Sequence, residues 1–366
     1  MRRSGNTFLA LFFLLGLACL VGMGPAAGYG AQPSSTATDE VVCDDKFCLT
    51  RSKTGEPRHL VYRFRGLTNQ WQEVSCDIRE SDSKKLSDSF GYMSSERTAS
   101  WSENLEKTIN VATRLSLSPE YGEARVTKDT IDWVAAKELP PLAGEEIIAS
   151  ERKNFIHWYE IHKAEIRDLA NKRFLSAHGI TTIPDLGEIP DYSSIVSKSS
   201  PALKSCIDAF DRTTGGNPEI LQKFFQAMFY EKIPMQEGDR WTHGLRLPST
   251  VMLQGKGDCD SKAAAFCTIQ RKRNERRLVI LRSLPGKSSL RHALVGVEAW
   301  TKDGPHPKEA WPYKRLPEAL KAILYGKPIR IGLRDYWPCE VAGRERTDYG
   351  KVGDGHAGRY VAILIQ

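Results

Sequence analysis

The sequence predicts an α+β fold in which a cysteine-bearing helix packs on an antiparallel sheet, behind an N-terminal region of mixed α and β structure. Three observations carry this expectation. Apolar residues recur at three- and four-residue spacing from Glu145 to His178 and from Pro218 to Tyr230, the period of an amphipathic helix. An Ala-rich run, Ser261 to Ile269, follows a Gly-rich turn and has the look of a buried helix. Short β-branched runs at Leu278–Leu281, Ala293–Trp300 and Tyr360–Ile365 read as strands. With 366 residues, 40% hydrophobic and 27% charged, the chain has enough apolar surface for one large or two medium domains.

Taken in order, the chain opens with Arg2 and Arg3, an apolar run from Phe8 to Met23, and small residues from Ala26 to Ala31, the pattern of a cleaved signal peptide over residues 1–31. Leu17-Ala18-Cys19 offers a lipid anchor as the alternative. The run is short for a membrane span, and no later segment is apolar enough for one. Residues 32–59 read as a linker and N-terminal segment, Pro-, Ser- and Thr-rich at its start. A mixed domain is expected over 60–200. It would begin with strands at Leu60–Phe64 and Trp71–Ile78, joined by a turn at Gly66–Asn69, and pass through a Ser-rich region at 80–102 of loop with short pieces of structure. The long helix Glu145–His178 follows, with Gly179 as its stop. Pro184, Pro190 and many Ser and Thr residues mark a hinge over 181–200, and the second domain runs over 201–366.

The net charge of +7 is spread along the chain, apart from one dense run at Arg271–Arg277. A solvated helix end accounts for that run, contact with an anionic cell-wall polymer, lipid headgroups or nucleic acid being the alternative, and no basic–aromatic interleaving points to nucleic acid. His157 and His162 lie five apart on the long helix, a poor spacing for a shared metal. His243, His306 and His356 are expected on the surface or in loops. No cofactor or metal site is expected.

Eight cysteines are present, and loss of Cys19 with the signal leaves an odd number. In an oxidising compartment an odd thiol is a candidate reactive group. Setting Cys259 aside leaves six, enough for three bridges, with Cys43 and Cys48 spaced to close a local loop or to pair outward.

The chemistry concentrates in Gly255-Lys256-Gly257-Asp258-Cys259-Asp260-Ser261-Lys262. A glycine turn delivers Cys259 to the first turn of an apolar helix. There the partial positive charge of the helix end favours a thiolate, and unpaired backbone N–H groups suit an oxyanion. A buried structural cysteine or a disulfide partner is the plain alternative. His292 opens a strand 33 residues later and is the candidate base. For the acid that would orient it, Glu298, Asp303, Glu309, Asp335 and Glu340 are available. Glu298 is too far along the same strand, and Asp303 sits in a hairpin-like turn. Glu340 ends a strand expected beside that of His292, whereas Asp335 would point elsewhere. Gln254 and Trp241 are candidates for lining a cleft.

These residues carry a resemblance. Gly257-Asp258-Cys259-Asp260-Ser261-Lys262-Ala263 resembles the cysteine signature of bacterial transglutaminase-like proteins, and Phe224–Tyr230 resembles the helix ahead of it. His292–Val297 is similar to the family's histidine strand, and Tyr336–Gly343 to the segment in which exported members place a glutamate. The more widespread pattern, an Asp 15 to 20 residues after the histidine, is missing, and Glu309 is its nearest substitute. The likeness covers roughly 215–365. It implies a papain-like, transglutaminase-like core with Cys259, His292 and Glu340 as catalytic triad. The expected protein is an exported thiol hydrolase or acyltransferase of the periplasm or cell envelope, acting on peptide or protein amides, cell-wall peptides included. A protein-crosslinking enzyme and a catalytically inactive scaffold of the same fold are the alternatives. Contact with a membrane is expected only through the signal segment or a lipid anchor.

Overall fold

The computed structural model describes residues 39–127, 130–135, 144–270, 277–284, 292–298, 329–343 and 360–365. The signal segment, most of the Arg271–Arg277 run, Asp303, Glu309, His306 and His356 lie outside them. Residues 38–366 form one compact unit.

The described chain begins with four strands, β1 (Asp39–Cys43), β2 (Phe47–Ser52), β3 (Arg58–Arg65) and β4 (Trp71–Ile78), antiparallel and in sequence order. Alternation builds this sheet. Leu60, Tyr62 and Phe64 point inward, with Val74, Cys76 and Ile78 of β4 beside them, and the residues between face water. The stretch expected as linker up to residue 59 therefore holds two strands of the sheet. The Ser-rich stretch expected as loop is helical instead, as α1 (Glu80–Ser89) and α2 (Ser94–Ser116), separated by β5 (Tyr92–Met93). Its serines do not break the helices: Ser100 donates to the Glu96 carbonyl and Thr98 to that of Ser94, one turn back.

A hairpin of β6 (Gly122–Thr127) and β7 (Thr130–Ala135) leads to α3 (Glu145–Ala177), whose 33 residues span about 50 Å. Gly179 stops α3 with a left-handed φ of 71°. Together with α2 and the hairpin, α3 encloses a small core of its own around Leu105, Ile109, Trp133, Phe155 and Tyr159. The expected hinge over 181–200 is a hairpin, β8 (Ile180–Ile183) and β9 (Gly187–Pro190), followed by α4 (Tyr192–Ser199). Tyr192 and Val196 of α4 are fully buried, so this segment is a packed part of the core.

The second half contains α5 (Lys204–Thr214), α6 (Pro218–Ala227), β10 (Phe229–Tyr230), β11 (Gln236–Glu237), β12 (Arg240–Trp241), α7 (Pro248–Gln254), β13 (Lys256–Gly257) and α8 (Cys259–Gln270). Asn217 caps α6 by accepting from the Glu219 N–H. The helix expected to reach Tyr230 ends at Ala227, and Phe229–Tyr230 pairs in parallel with β13. A five-stranded antiparallel sheet completes the fold from β14 (Leu278–Ser283), β15 (Ala293–Glu298), β16 (Ile329–Ile331), β17 (Arg334–Cys339) and β18 (Tyr360–Ile365), in the order β16-β17-β15-β14-β18. All twelve residues of α8 are buried, and Leu278, Ile280, Val295 and Val297 join the same core as its alanines.

That core runs without a break from Phe47 to Ile365. The expected division at residue 200 does not divide it. Phe224 of α6 stacks edge-on against Tyr62 and Phe64 of the first sheet, at 5.3 and 5.2 Å. Two disulfides form, Cys43–Cys48 across β1 and β2, and Cys76–Cys206 between β4 and α5. Such bridges suit an oxidising, exported environment. The third bridge allowed by the count does not form: Cys259, Cys267 and Cys339 are buried thiols. Among the described residues no helix is long and apolar enough to cross a membrane.

Candidate functional site

The glycine turn of the sequence is a helix-to-helix joint. Gly255 ends α7 with φ 65°, a left-handed position open to glycine at little cost, and a Cβ there would meet Leu49 and Phe47 at 3.0 Å. The chain then runs through β13 to Asp258, whose carboxylate accepts from the Ser261 N–H at 3.0 Å while its carbonyl accepts from the Lys262 N–H. Asp258 is thus the N-cap of α8 and Cys259 its first helical residue. At this position the helix's own carbonyls cannot reach the Cys259 and Asp260 N–H groups.

His292 precedes β15, and Ser283 of β14 brackets its backbone. The Ser283 Oγ accepts from the His292 N–H at 2.7 Å, and the Ser283 N–H donates to the His292 carbonyl at 2.9 Å. Glu340 follows β17, next to Cys339, which pairs with Val295. His292 Nε2 lies 2.5 Å from Glu340 Oε2, and the other oxygen, Oε1, accepts from the Ala342 N–H at 2.8 Å. A carboxylate only accepts, so Nε2 carries the hydrogen and Nδ1 is the basic nitrogen. The Glu340 carbonyl is held in turn by the side-chain amides of Gln222 and Gln226 on α6, at 3.1 and 2.8 Å.

Cys259 is 6% exposed. Its sulfur receives the N–H of Ala293, the residue after His292, and donates to Asp260 Oδ1 at 3.5 Å. The expectation of a thiol lowered by the helix end is reversed. Burial first, then the carboxylates of Asp260 and Asp258, push the Cys259 thiol well above its ordinary value, against the opposing pull of Arg282 and the Ala293 N–H. The resting sulfur is therefore a neutral thiol. Asp258 is itself pushed up to about 6, by burial and then by Asp260.

No protein-family model, curated protein or solved structure matches this chain.

The remaining candidates separate. Glu298 is paired with Arg334 and accepts from the Arg277 N–H at 2.9 Å. Asp335 is paired with Arg330 at 2.6 Å. Trp241 pairs with Tyr92 in a small sheet, and its indole N–H donates to Ser94. Gln254 lines a cavity of about 550 Å³ with Leu49, Phe229, Tyr230, Glu231 and Lys256. This cavity borders the strand that leads into Cys259. Tyr230 is close enough to Cys259 and Glu340 for their charges to help raise its hydroxyl to about 12, after burial. His243, expected on the surface or in a loop, lies in the turn after β12 but is buried beside Tyr92 and Glu188, and burial lowers its pKa.

Four partners escaped the sequence reading. Arg282 stood in plain view as a charge in an otherwise apolar strand, and Gln222 and Gln226 as a polar pair four apart on the buried face of α6. Tyr192 gave no signal, because its role depends on α4 reaching α8 across the fold.

Proposed function

We propose that this chain is an exported thiol hydrolase or acyltransferase that cleaves or transfers amide bonds of peptides or proteins, with Cys259 as nucleophile, His292 as base and Glu340 as the acid that orients the base. Its core is read as papain-like in the transglutaminase-like manner, and its place of action as the periplasm or cell envelope. One observation carries the reading. A histidine whose Nε2 is fixed by a glutamate sits directly before the residue whose N–H meets a sulfur at the mouth of a helix.

In the reaction the Cys259 sulfur forms a bond to the substrate carbonyl carbon as its proton passes to His292. The carbonyl oxygen takes up the negative charge within reach of the backbone N–H groups opening α8. His292 then returns the proton to the departing amine, and water, activated by the same imidazole, releases the acid. An amine in place of water gives the crosslinking outcome. Because the resting thiol is neutral, His292 acts as general base during attack, in contrast to a preformed thiolate–imidazolium pair. The cavity beside Tyr230 and Lys256 supports a peptide side chain as the group bound next to the reacting bond.

A peptidyl electrophile tests this. The expected result is covalent labelling at Cys259 in the mature protein, lost in Cys259→Ala and slowed by a factor of about 10²–10⁴ in His292→Ala. Equal labelling of wild type and His292→Ala sinks the reading. The inactive-scaffold alternative draws on the burial of Cys259, and it predicts that no such label forms.

A further inference from the structure

Beside Cys259 lies a charged cluster that the proposed reaction does not use. Asp260 Oδ1 accepts from the Cys259 sulfur at 3.5 Å and is paired with the Arg282 guanidinium. Asp260 Oδ2 accepts from the Tyr192 hydroxyl at 3.0 Å. All four residues are buried, Tyr192 completely and Arg282 to 6% exposure. They come from three elements, α4, α8 and β14. Arg282 is the cross-strand partner of Ala293, so the cluster borders the sulfur on the side of the histidine strand. A buried ion pair is no gain in stability over an apolar filling of the same space, which makes its presence at a reactive atom informative.

We infer that Asp260 is a functional residue of this site in its own right: its carboxylate, fixed by Arg282 and Tyr192, accepts the Cys259 S–H and holds the sulfur protonated until substrate turns the thiol toward His292. The inference rests on Cys259 being the nucleophile, and it adds how that nucleophile is kept at rest. An oxidising compartment gives the reason. The thiolate is the form that attacks disulfides and is oxidised, and this chain carries two disulfides and an unbridged Cys259. In the attack step the proton goes from sulfur to His292. Asp260, already engaged by Arg282 and Tyr192, takes no part in that transfer. Arg282 and Tyr192 act through Asp260 and are positioning residues.

The groups around the sulfur are Asp258 at the N-cap of α8, Asp260 on α8, Tyr192 on α4, Tyr230 on β10 and Arg282 on β14; His292 directly precedes Ala293, whose N–H meets the sulfur, with Glu340 bonded to the imidazole. Asp260 alone accepts from the thiol in this set. Removing its charge leaves Arg282 as the dominant neighbour, and removing Arg282 leaves the carboxylate.

The test is iodoacetamide alkylation of Cys259 across pH, followed by mass spectrometry on the mature protein. Cys267 and Cys339, both fully buried, report on the fold in the same digest. Asp260→Asn is expected to react at least about tenfold faster at pH 7, with its midpoint about one pH unit or more below that of the wild-type thiol. Arg282→Gln breaks the same ion pair yet should react no faster than wild type. If both variants speed up alike, or neither does, the inference fails. If Asp260→Asn labels Cys267 as well, its fold is lost and the Asp260→Asn/Arg282→Gln double variant decides. Its midpoint must then fall below that of Arg282→Gln alone, and an unchanged midpoint overturns the inference. Because no substrate enters this assay, a protein with no amide-cleaving activity would fail the functional reading without touching the latch. An active enzyme with unmoved midpoints would do the reverse.

Discussion

Glu340 works through both oxygens, one on His292 and one on the Ala342 N–H, while its carbonyl is tied to α6. Replacing it with Gln keeps the shape but removes the charge that would stabilise an imidazolium. Amide-cleaving activity should fall by about 10²–10⁴ with the melting temperature little changed, as measured by steady-state rates and calorimetry. A second prediction concerns Asp258. Its folded pKa of about 6 lies above its ordinary value of 3.8, so the folded state holds the proton more tightly than the unfolded state. The resulting stabilisation is present below pH 4 and is lost as pH rises through 6, a loss of up to about 3 kcal/mol. Asp258→Asn, still able to cap α8, should flatten the change in urea midpoint between pH 4 and pH 7; a slope equal to wild type rejects the assignment. Cys259, His292 and Glu340 could be singled out in the sequence because motif and spacing mark them. The direction of the thiol shift could not, because it depends on how fully the site is closed and on which charges the fold brings near.

Among the elements, the joint from α7 through β13 to α8 sets where the thiol sits. Gly255→Ala places a side chain in a left-handed conformation and against Leu49 and Phe47. It should cost about 1–2 kcal/mol in denaturant unfolding and slow Cys259-dependent chemistry together. A variant as stable and as active as wild type would show that the joint tolerates a Cβ. Elements with a clear period were legible: α3, β3, β4 and, in the last sheet, β14, β15 and β18 fall close to where apolar spacing puts them, whereas the three-residue β16 is too short to show a period. The helices α1 and α2 were not, because Ser and Thr side chains there bond back to helical carbonyls, which no periodicity count registers. Strands β1 and β2 were hidden by composition, since their exposed faces carry Glu40, Thr50 and Arg51 like a linker.

For the whole molecule, one core joins the first sheet to the last. The Cys76–Cys206 bridge, whose ends are 130 positions apart in the sequence, ties the same two halves covalently. In the chain-entropy account, a closed loop of that length restrains the unfolded chain by about 5 kcal/mol, against about 2 for the five-residue Cys43–Cys48 loop. The Cys76→Ala/Cys206→Ala pair should therefore lower stability by roughly 2–5 kcal/mol and Cys43→Ala/Cys48→Ala by less, read from denaturant midpoints. Equal losses would contradict this ordering. The order of strands across the last sheet bears on synthesis. Cys259 emerges from the ribosome well before β17 and Glu340, and β18, which closes the far edge of the sheet, emerges after them. A growing chain thus carries Cys259 before Glu340 exists, so the contact between Glu340 and His292 can assemble only after β17 has been made.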